Sequence, residues 1–497
     1  METRHVTLVA DLAAARTLGS QRVRPTGDDM RRATEGIVTH LPATGLGLDA
    51  TFAQLVGVVA PGIVGATGPR YFGFVTGGVT PAAQLADFVV AAVDANVQVH
   101  LPLDSVATRV EAAALEMAAS LSGLDTAVFA ARTVTTGATA SNVLGLACAR
   151  DAATAKVLRL DRGLDSNSRH FCAADDGLFG ACRVVVLHAH AHASIAKAAS
   201  LVGIGRKNCF NLAESPASVD FDLVKLDSLM AKLAAEKTAV ILVASCGEVN
   251  TGNFTADLPA LRALCNKYGN AWLHVDAAFG AFAPNSGNLN SADSLTIDAH
   301  KWLNVPYDCG LFYTRSLELL QQVCSPSFDL SSTGPAYLSS SSSDGIPSPL
   351  TVGIENSRRF RALPLYASLI CLGREGYEDI FARNIAFANR IAKWIHDSPH
   401  YDLLNHAGDN INGATYKPIA NIVLFGSRTA TDDVGNSQLV SKINDTGLMY
   451  VTGTKWAGRP CIRLAVSNWQ TGKNKGNATD IHDPDFDIVI NVLIQVL

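Results

Sequence analysis

Apolar positions along the chain repeat in two registers. Val106, Val110, Ala113, Met117 and Leu121 keep the three-to-four-residue spacing of one helical face, as do Phe381, Ile385, Ala388, Ala392 and Ile395. Between such stretches lie short β-rich runs: RVVVL (183–187), AVILVAS (239–245), WLHVD, which ends at Asp276, and GLFYT (310–314). Strand-like runs alternating with helical patterns predict an α/β domain around a mostly parallel, buried sheet, spanning residues 96–375. The first 95 residues read as helical, with a Gly-rich break at YFGFVTGGVTP (71–81). The tail, 376–497, carries strand-like ANIVLFG (420–426), GLMYVTG (447–453) and CIRLAVS (461–467), then a closing helix in FDIVINVLIQVL. That order predicts a smaller α+β domain. One stretch, SSTGPAYLSSSSSDGIPSP (331–349), has the Ser/Gly/Pro composition of a long loop or lid, with Tyr337 in its middle.

Composition narrows the class. The 497 residues are 48% hydrophobic and 17% charged, enough apolar content for a large core and more than one domain. A net charge of -5 argues against a nucleic-acid binder, which needs a basic excess. The N-terminus lacks a long apolar segment, and no run approaches the ~18 apolar residues of a membrane span. Ten scattered cysteines without a C-x-x-C pair fit reduced thiols and a cytoplasmic protein.

Four segments could carry chemistry. In TTGATASNVLGLACAR (135–150) a Gly-containing turn opens a helix, and a helix N-terminus suits a phosphate, although such residues also serve as plain caps. HAHAHASIAKAAS (188–200) alternates His with Ala. A metal ribbon would need further ligands nearby, and none is read. The last of the three, His192, could stack on a planar cofactor or be an ordinary loop histidine. In WLHVDAAFGAF (272–282) a buried strand ends in Asp276, a carboxylate that needs a cation or a hydrogen-bonded partner. Ligands of open α/β sheets bind at such strand ends. Finally, DAHKWLNVPYDCG (298–310) sets Lys301 among small and apolar residues, where an amine of lowered pKa could bond an aldehyde. Together these are the contacts of pyridoxal 5'-phosphate: a helix start for the phosphate, a His for the ring face, an Asp for the ring nitrogen and a Lys for the aldehyde.

On HVDAAF, DAHKW, TGATASN and HASIAKA, with RYFGFVTGGVTPAAQLAD (70–87) and SRRFRAL (357–363), the chain resembles the group II pyridoxal-phosphate-dependent amino-acid decarboxylases over residues 68 to 375. The resemblance implies the fold type I architecture of aspartate aminotransferase-like enzymes and a homodimer formed partly by the N-terminal segment, its active sites at the interface. It implies that Lys301 bonds the cofactor, Asp276 pairs with the ring nitrogen, His192 stacks on the ring and Ala278 packs on its other face. Ala138 and Thr139 would take the phosphate, with His300 close by. Phe74, Val75 and Thr76 would line the substrate pocket, and Tyr337 would return a proton to the substrate after carbon dioxide leaves. No metal is implied.

The chain departs from this family in three places. Gly73 stands where aromatic-specific members carry a bulky aromatic, which should open space in the pocket. Val249, beside Glu248 in SCGEVNTG (245–252), replaces a Thr near the cofactor. The loop around Tyr337 is longer and richer in Ser. The favoured expectation is decarboxylation of an aromatic L-amino acid to its amine. The alternatives are another pyridoxal-phosphate reaction, such as oxidative conversion to an aldehyde or carbon–carbon lysis, decarboxylation of an acidic amino acid, or a non-catalytic interaction module. For an acidic substrate, Arg70, Arg358, Arg359 and Arg361 are the candidate partners.

Overall fold

In a computed structural model of the chain, the described residues are 22–162, 171–178, 180–284, 286–325, 345–405, 419–473 and 483–497, with 7 and 9–11 near the start. They group into two compact units, Val79–Glu378 and Met1–Gly78 with Asp379–Leu497. The three segments expected from the sequence, 1–95, 96–375 and 376–497, divide the chain more finely than these two units.

The larger unit holds a seven-stranded sheet: β1 (Ala131–Thr135), β2 (Val184–His188), β3 (Cys209–Asn211), β4 (Ala239–Ser245), β5 (Ala271–Asp276), β6 (Ser294–Asp298) and β7 (Gly310–Thr314), in the order β1-β7-β6-β5-β4-β2-β3. Neighbours from β3 through β2, β4 and β5 to β6 run parallel, and only β7 is reversed. Every residue of β4, β5, β6 and β7 is buried, because helices cover a parallel sheet on both faces. The helix Ala138–Arg162 packs across β4–β7, and with Ala193–Leu201 and strands β2 and β4 it encloses a core that includes Val186, Ile195, Ile241 and Phe312.

The second unit builds its core on a four-stranded antiparallel sheet, order β10-β11-β9-β8: β8 (Tyr401–Leu403), β9 (Ile422–Ser427), β10 (Thr452–Trp456) and β11 (Arg459–Ala465). Phe387, Ile391, Phe425, Leu464 and Val492 belong to that core.

Most expected elements form, with shifts. GLMYVTG is not a strand through its length; the strand begins at Thr452, and Tyr450 makes only an isolated bridge to Tyr71. The helix expected from Val106 spans Ala107–Leu121, but its buried stripe runs through Ala107, Glu111, Leu115 and Ala118, with Val106 exposed. The stripe turns because Glu111 is drawn inward by a buried ion pair with Arg358, at 2.5 Å. All ten cysteines are free thiols. Among the described residues, no helix is long and apolar enough to cross a membrane.

Candidate active site

The register of the large sheet brings its chemistry to one edge. Ser245 at the end of β4 pairs with Asp276 at the end of β5. Asp298 at the end of β6 pairs with Gly310, which in turn pairs with Thr135 at the end of β1. The turn after Thr135 starts the helix Ala138–Arg162 beside Asp298, and the turn after Asp298 carries His300 and Lys301. Strand direction alone therefore collects a helix N-terminus, two carboxylates, an imidazole and an amine.

Asp298 sits at the centre of the first cluster. Its Oδ1 accepts from the Ala138 N–H at 2.6 Å, and its Oδ2 lies 2.9 Å from Lys301 Nζ and 3.5 Å from His300 Nε2. The Cys309 N–H donates to His300 Nδ1 at 3.1 Å, which leaves the Nε2 side facing Asp298, and the Tyr307 ring lies 4.4 Å from the His300 ring. Burial by itself would raise the Asp298 carboxyl, but Lys301 and His300 outweigh it and hold it down at about 2. Lys301 answers in kind. Burial pushes its ammonium toward neutrality, yet the Asp298 carboxylate, helped by Asp276, wins and holds the amine above the ordinary lysine value. This corrects the expectation of a lowered pKa: the surroundings that look apolar in sequence contain two carboxylates in space. The Lys301 side chain remains 20% exposed, so it reaches the surface of the crevice.

Asp276 anchors the second cluster. Its Oδ2 accepts from Asn142 Nδ2 at 3.0 Å and its Oδ1 from the Ala278 N–H at 3.2 Å. The same Asn142 nitrogen donates to Ser194 Oγ at 3.0 Å, and Ser194 Oγ lies 2.8 Å from His192 Nδ1. His192 is the N-cap of the helix Ala193–Leu201 and accepts the Ser194 N–H. The three histidines do not share a face: His188 ends β2, His190 turns through a left-handed backbone (φ 47°), and His192 opens the next helix. Thr139 lies half-buried in the first turn of the helix Ala138–Arg162. Glu248 is buried and turns back on its own loop, accepting from the Asn250 N–H, the Thr251 N–H and the Thr251 hydroxyl.

In the other unit, Thr76 and Val75 are buried, whereas Phe74 is exposed; Phe74 and Val75 both take left-handed backbone. Gly73 opens no space there. A Cβ at this position would meet Tyr450 Cδ1 at 2.7 Å, because the Tyr450 ring stacks on Tyr71 with centroids 4.8 Å apart and fills the volume. Tyr337 lies outside the described residues. Sequence reasoning gave no role to Asp298, Asn142, His274 or Ser194. Two signals were available: Asp298 precedes Lys301 by three residues, and Asn142 is a lone amide entering an apolar helix.

The chain is similar to known proteins in sequence and in fold. Over 283 residues the chain is 26% identical to L-2,4-diaminobutyrate decarboxylase of Acinetobacter baumannii, covering 54% of this chain and 52% of that protein. It is 26% identical over 434 residues to tryptophan decarboxylase 1 of Oryza sativa subsp. japonica, covering 84% and 80%. Against most of the curated relatives it matches, the chain spans about half of their length. The crystal structure of Oryza sativa TDC with PLP and tryptamine superposes with a TM-score of 0.79 at 20% identity, covering 99% of this chain and 96% of that one, which establishes the shared fold. The model of the pyridoxal-dependent decarboxylase conserved domain matches residues 32–412, a stretch that holds both clusters at the sheet edge, and the chain therefore belongs to the pyridoxal-dependent decarboxylase family.

Proposed function

We propose that the protein is a pyridoxal-phosphate-dependent carboxy-lyase that converts an aromatic L-amino acid to its amine and carbon dioxide. One observation carries this reading: Lys301 and Asp276, an amine and a hydrogen-bonded carboxylate, sit at one edge of a parallel sheet beside a helix N-terminus. That donor set fits a phosphorylated pyridine aldehyde, with an amine for the aldehyde, a carboxylate for the ring nitrogen and amide N–H groups for the phosphate. Pyridoxal phosphate bound there would supply the electron sink for the pair released when the bond from Cα to the carboxylate breaks.

The chain's own residues do the rest. Lys301 would hold the aldehyde carbon and yield it to the substrate amine. Asp276, kept in place by Asn142 and the Ala278 N–H, would hold a proton at the ring nitrogen. His192 and Ala278 are assigned to the two ring faces. Thr139 and Ala138, with His300 nearby, are assigned to the phosphate; the Ala138 N–H already donates to Asp298 Oδ1, so Thr139 is the principal donor in this reading. Tyr337 is assigned the proton delivered to Cα, and Phe74, Val75 and Thr76 the substrate side.

A neutral substrate is supported by the arginines. Arg70 is paired with buried Asp485, Arg358 with Glu111, Arg359 with Asp87 and Arg361 with Asp308. Each candidate partner for a substrate side-chain carboxylate is already neutralised. The stacked Tyr71 and Tyr450 also place aromatic surface against the Gly73 segment. We further assign a homodimer. The helix Pro81–Val93 exposes Leu85, Val89 and Val93 at four-residue spacing, and the following loop exposes Leu101 and Leu103, a stripe that a second copy would cover. Ten free thiols are in keeping with the cytoplasm.

The test is a panel of Trp, Tyr, Dopa, Phe, Glu, Asp and 2,4-diaminobutyrate offered to the cofactor-loaded protein, with amine, aldehyde, peroxide and carbon dioxide followed by mass spectrometry. Amine and carbon dioxide from an aromatic substrate are expected. Aldehyde with peroxide would replace the reading by an oxidative one, and turnover of Glu, Asp or diaminobutyrate alone would replace the substrate class.

A further inference from the structure

Behind Asp276 the buried polar groups form one branched chain with a defined direction. The Trp272 indole N–H donates to Ser294 Oγ at 2.9 Å, and the Ser294 hydroxyl, 2.8 Å from His274 Nδ1, has its own proton to give there. With Nδ1 accepting, the neutral His274 ring carries its proton on Nε2, which donates to Asn142 Oδ1 at 2.9 Å. Burial keeps that ring neutral, pulling its pKa down to about 4. The two protons on Asn142 Nδ2 then go to Asp276 Oδ2 and Ser194 Oγ, each at 3.0 Å. The Ser194 hydroxyl donates to His192 Nδ1, which also takes the Ser194 N–H at 3.2 Å, so a neutral His192 carries its proton on Nε2. Reversing the amide would turn its oxygen onto a carboxylate that has nothing to donate, so only one orientation satisfies every group. Asn142, His274 and Ser294 are fully buried, and Ser194 nearly so.

We propose that Asn142 is a positioning residue for the cofactor: its one carboxamide aims the Asp276 carboxylate and, by donating to the Ser194 hydroxyl, steadies the group that with the Ser194 N–H holds His192 Nδ1 inward, so that both groups are prearranged before the cofactor enters. This rests on the pyridoxal-phosphate reading above. Asp276 and His192 are joined through this amide and the Ser194 hydroxyl, so a change at Asn142 removes a direct contact to Asp276, whereas a change at Ser194 leaves the Asn142–Asp276 hydrogen bond in place.

The experiment titrates pyridoxal phosphate into cofactor-stripped protein and follows the visible absorbance of the bound cofactor from acidic to alkaline pH, with the melting temperature of the cofactor-free protein recorded in the same buffers. Asn142→Leu, which keeps the branched heavy-atom skeleton and removes the amide, is expected to weaken binding roughly 10- to 100-fold, the loss of hydrogen bonds to a charged group. Asn142→Asp sets a second carboxylate against Asp276. Ionising both groups at this distance is costly, so they share a proton at low pH and repel each other once both are charged at high pH. Its affinity, taken as a ratio to that of the unsubstituted protein, should approach one at acidic pH and fall as pH rises. Ser194→Ala, which cuts the hydroxyl branch to His192 and leaves the Asn142–Asp276 hydrogen bond, should lose up to about tenfold. A flat ratio for Asn142→Asp across pH, or losses of affinity that merely follow lowered melting temperatures, would overturn the proposal. If the unsubstituted protein takes up no pyridoxal phosphate, the functional reading itself fails, and the inference goes with it.

Discussion

At Lys301 two opposing influences meet, and distance decides between them. Burial disfavours the ammonium, but a carboxylate at 2.9 Å favours it more strongly. Asp298 is therefore the main counter-ion of a largely buried ammonium, and its removal leaves only the weaker influence of Asp276. Asp298→Asn is expected to destabilise the cofactor-free protein by about 3 kcal/mol and to lower the Lys301 pKa, so that cofactor attachment begins at lower pH; urea unfolding and the pH profile of cofactor uptake check the two halves. His274 makes a second pH-dependent contribution. Its pKa is depressed from 6.5 to about 4 in the fold, so the stability it contributes is present above pH 6.5 and is lost as pH falls from there toward 4. The full difference corresponds to about 3 kcal/mol. His274→Gln should flatten the dependence of unfolding free energy on pH in that window, and a slope as steep as in the unsubstituted protein would remove His274 from the account.

At the scale of elements, close packing explains what the chain pattern leaves ambiguous. The helix Ala138–Arg162 can lie on β5 because Gly145 faces His274: a Cβ there would come within 2.4 Å of His274 Cε1. Alanine would ordinarily strengthen a helix interior by up to about 1 kcal/mol. Here overpacking at a cost of ~1–3 kcal/mol opposes that gain. Gly145→Ala should thus lower the melting temperature and, because His274 supports Asn142, weaken cofactor binding as well. The largely apolar runs of β4, β5 and β7 were legible because strands buried on both faces carry few polar positions. β6, SLTID, was not, since Ser294 and Thr296 break its apolar pattern, and their partners Trp272 and His274 lie on a different strand. Likewise β10 lies beyond the apolar run that suggested it, since the Tyr450 ring is engaged by Tyr71.

For the whole molecule, the proposed dimer gives a direct test. Leu85→Glu with Val89→Glu places two carboxylates on the exposed stripe of the helix Pro81–Val93. Light scattering should show a dimer become a monomer, with the cofactor-free protein still folded by circular dichroism; a monomer before substitution would remove the dimer from the reading. By itself the sequence determined the α/β class, the central strands β2, β4, β5 and β7, and the residue types proposed for the cofactor, because those follow from local periodicity and from chemistry that only a few side chains supply. It also carried Lys301 and Asp276 as candidates, since an amine and a carboxylate among apolar residues stand out in any reading of the chain. Only the tertiary structure decided the partners. Asp298 beside the Ala138 N–H, Asn142 between Asp276 and His274, and Tyr450 over Gly73 join residues 160, 134, 132 and 377 positions apart. Strand register and helix packing set these contacts, and the sign of the Lys301 shift depends on them: burial and charge compete over a few ångströms, a distance that spacing along the chain does not encode.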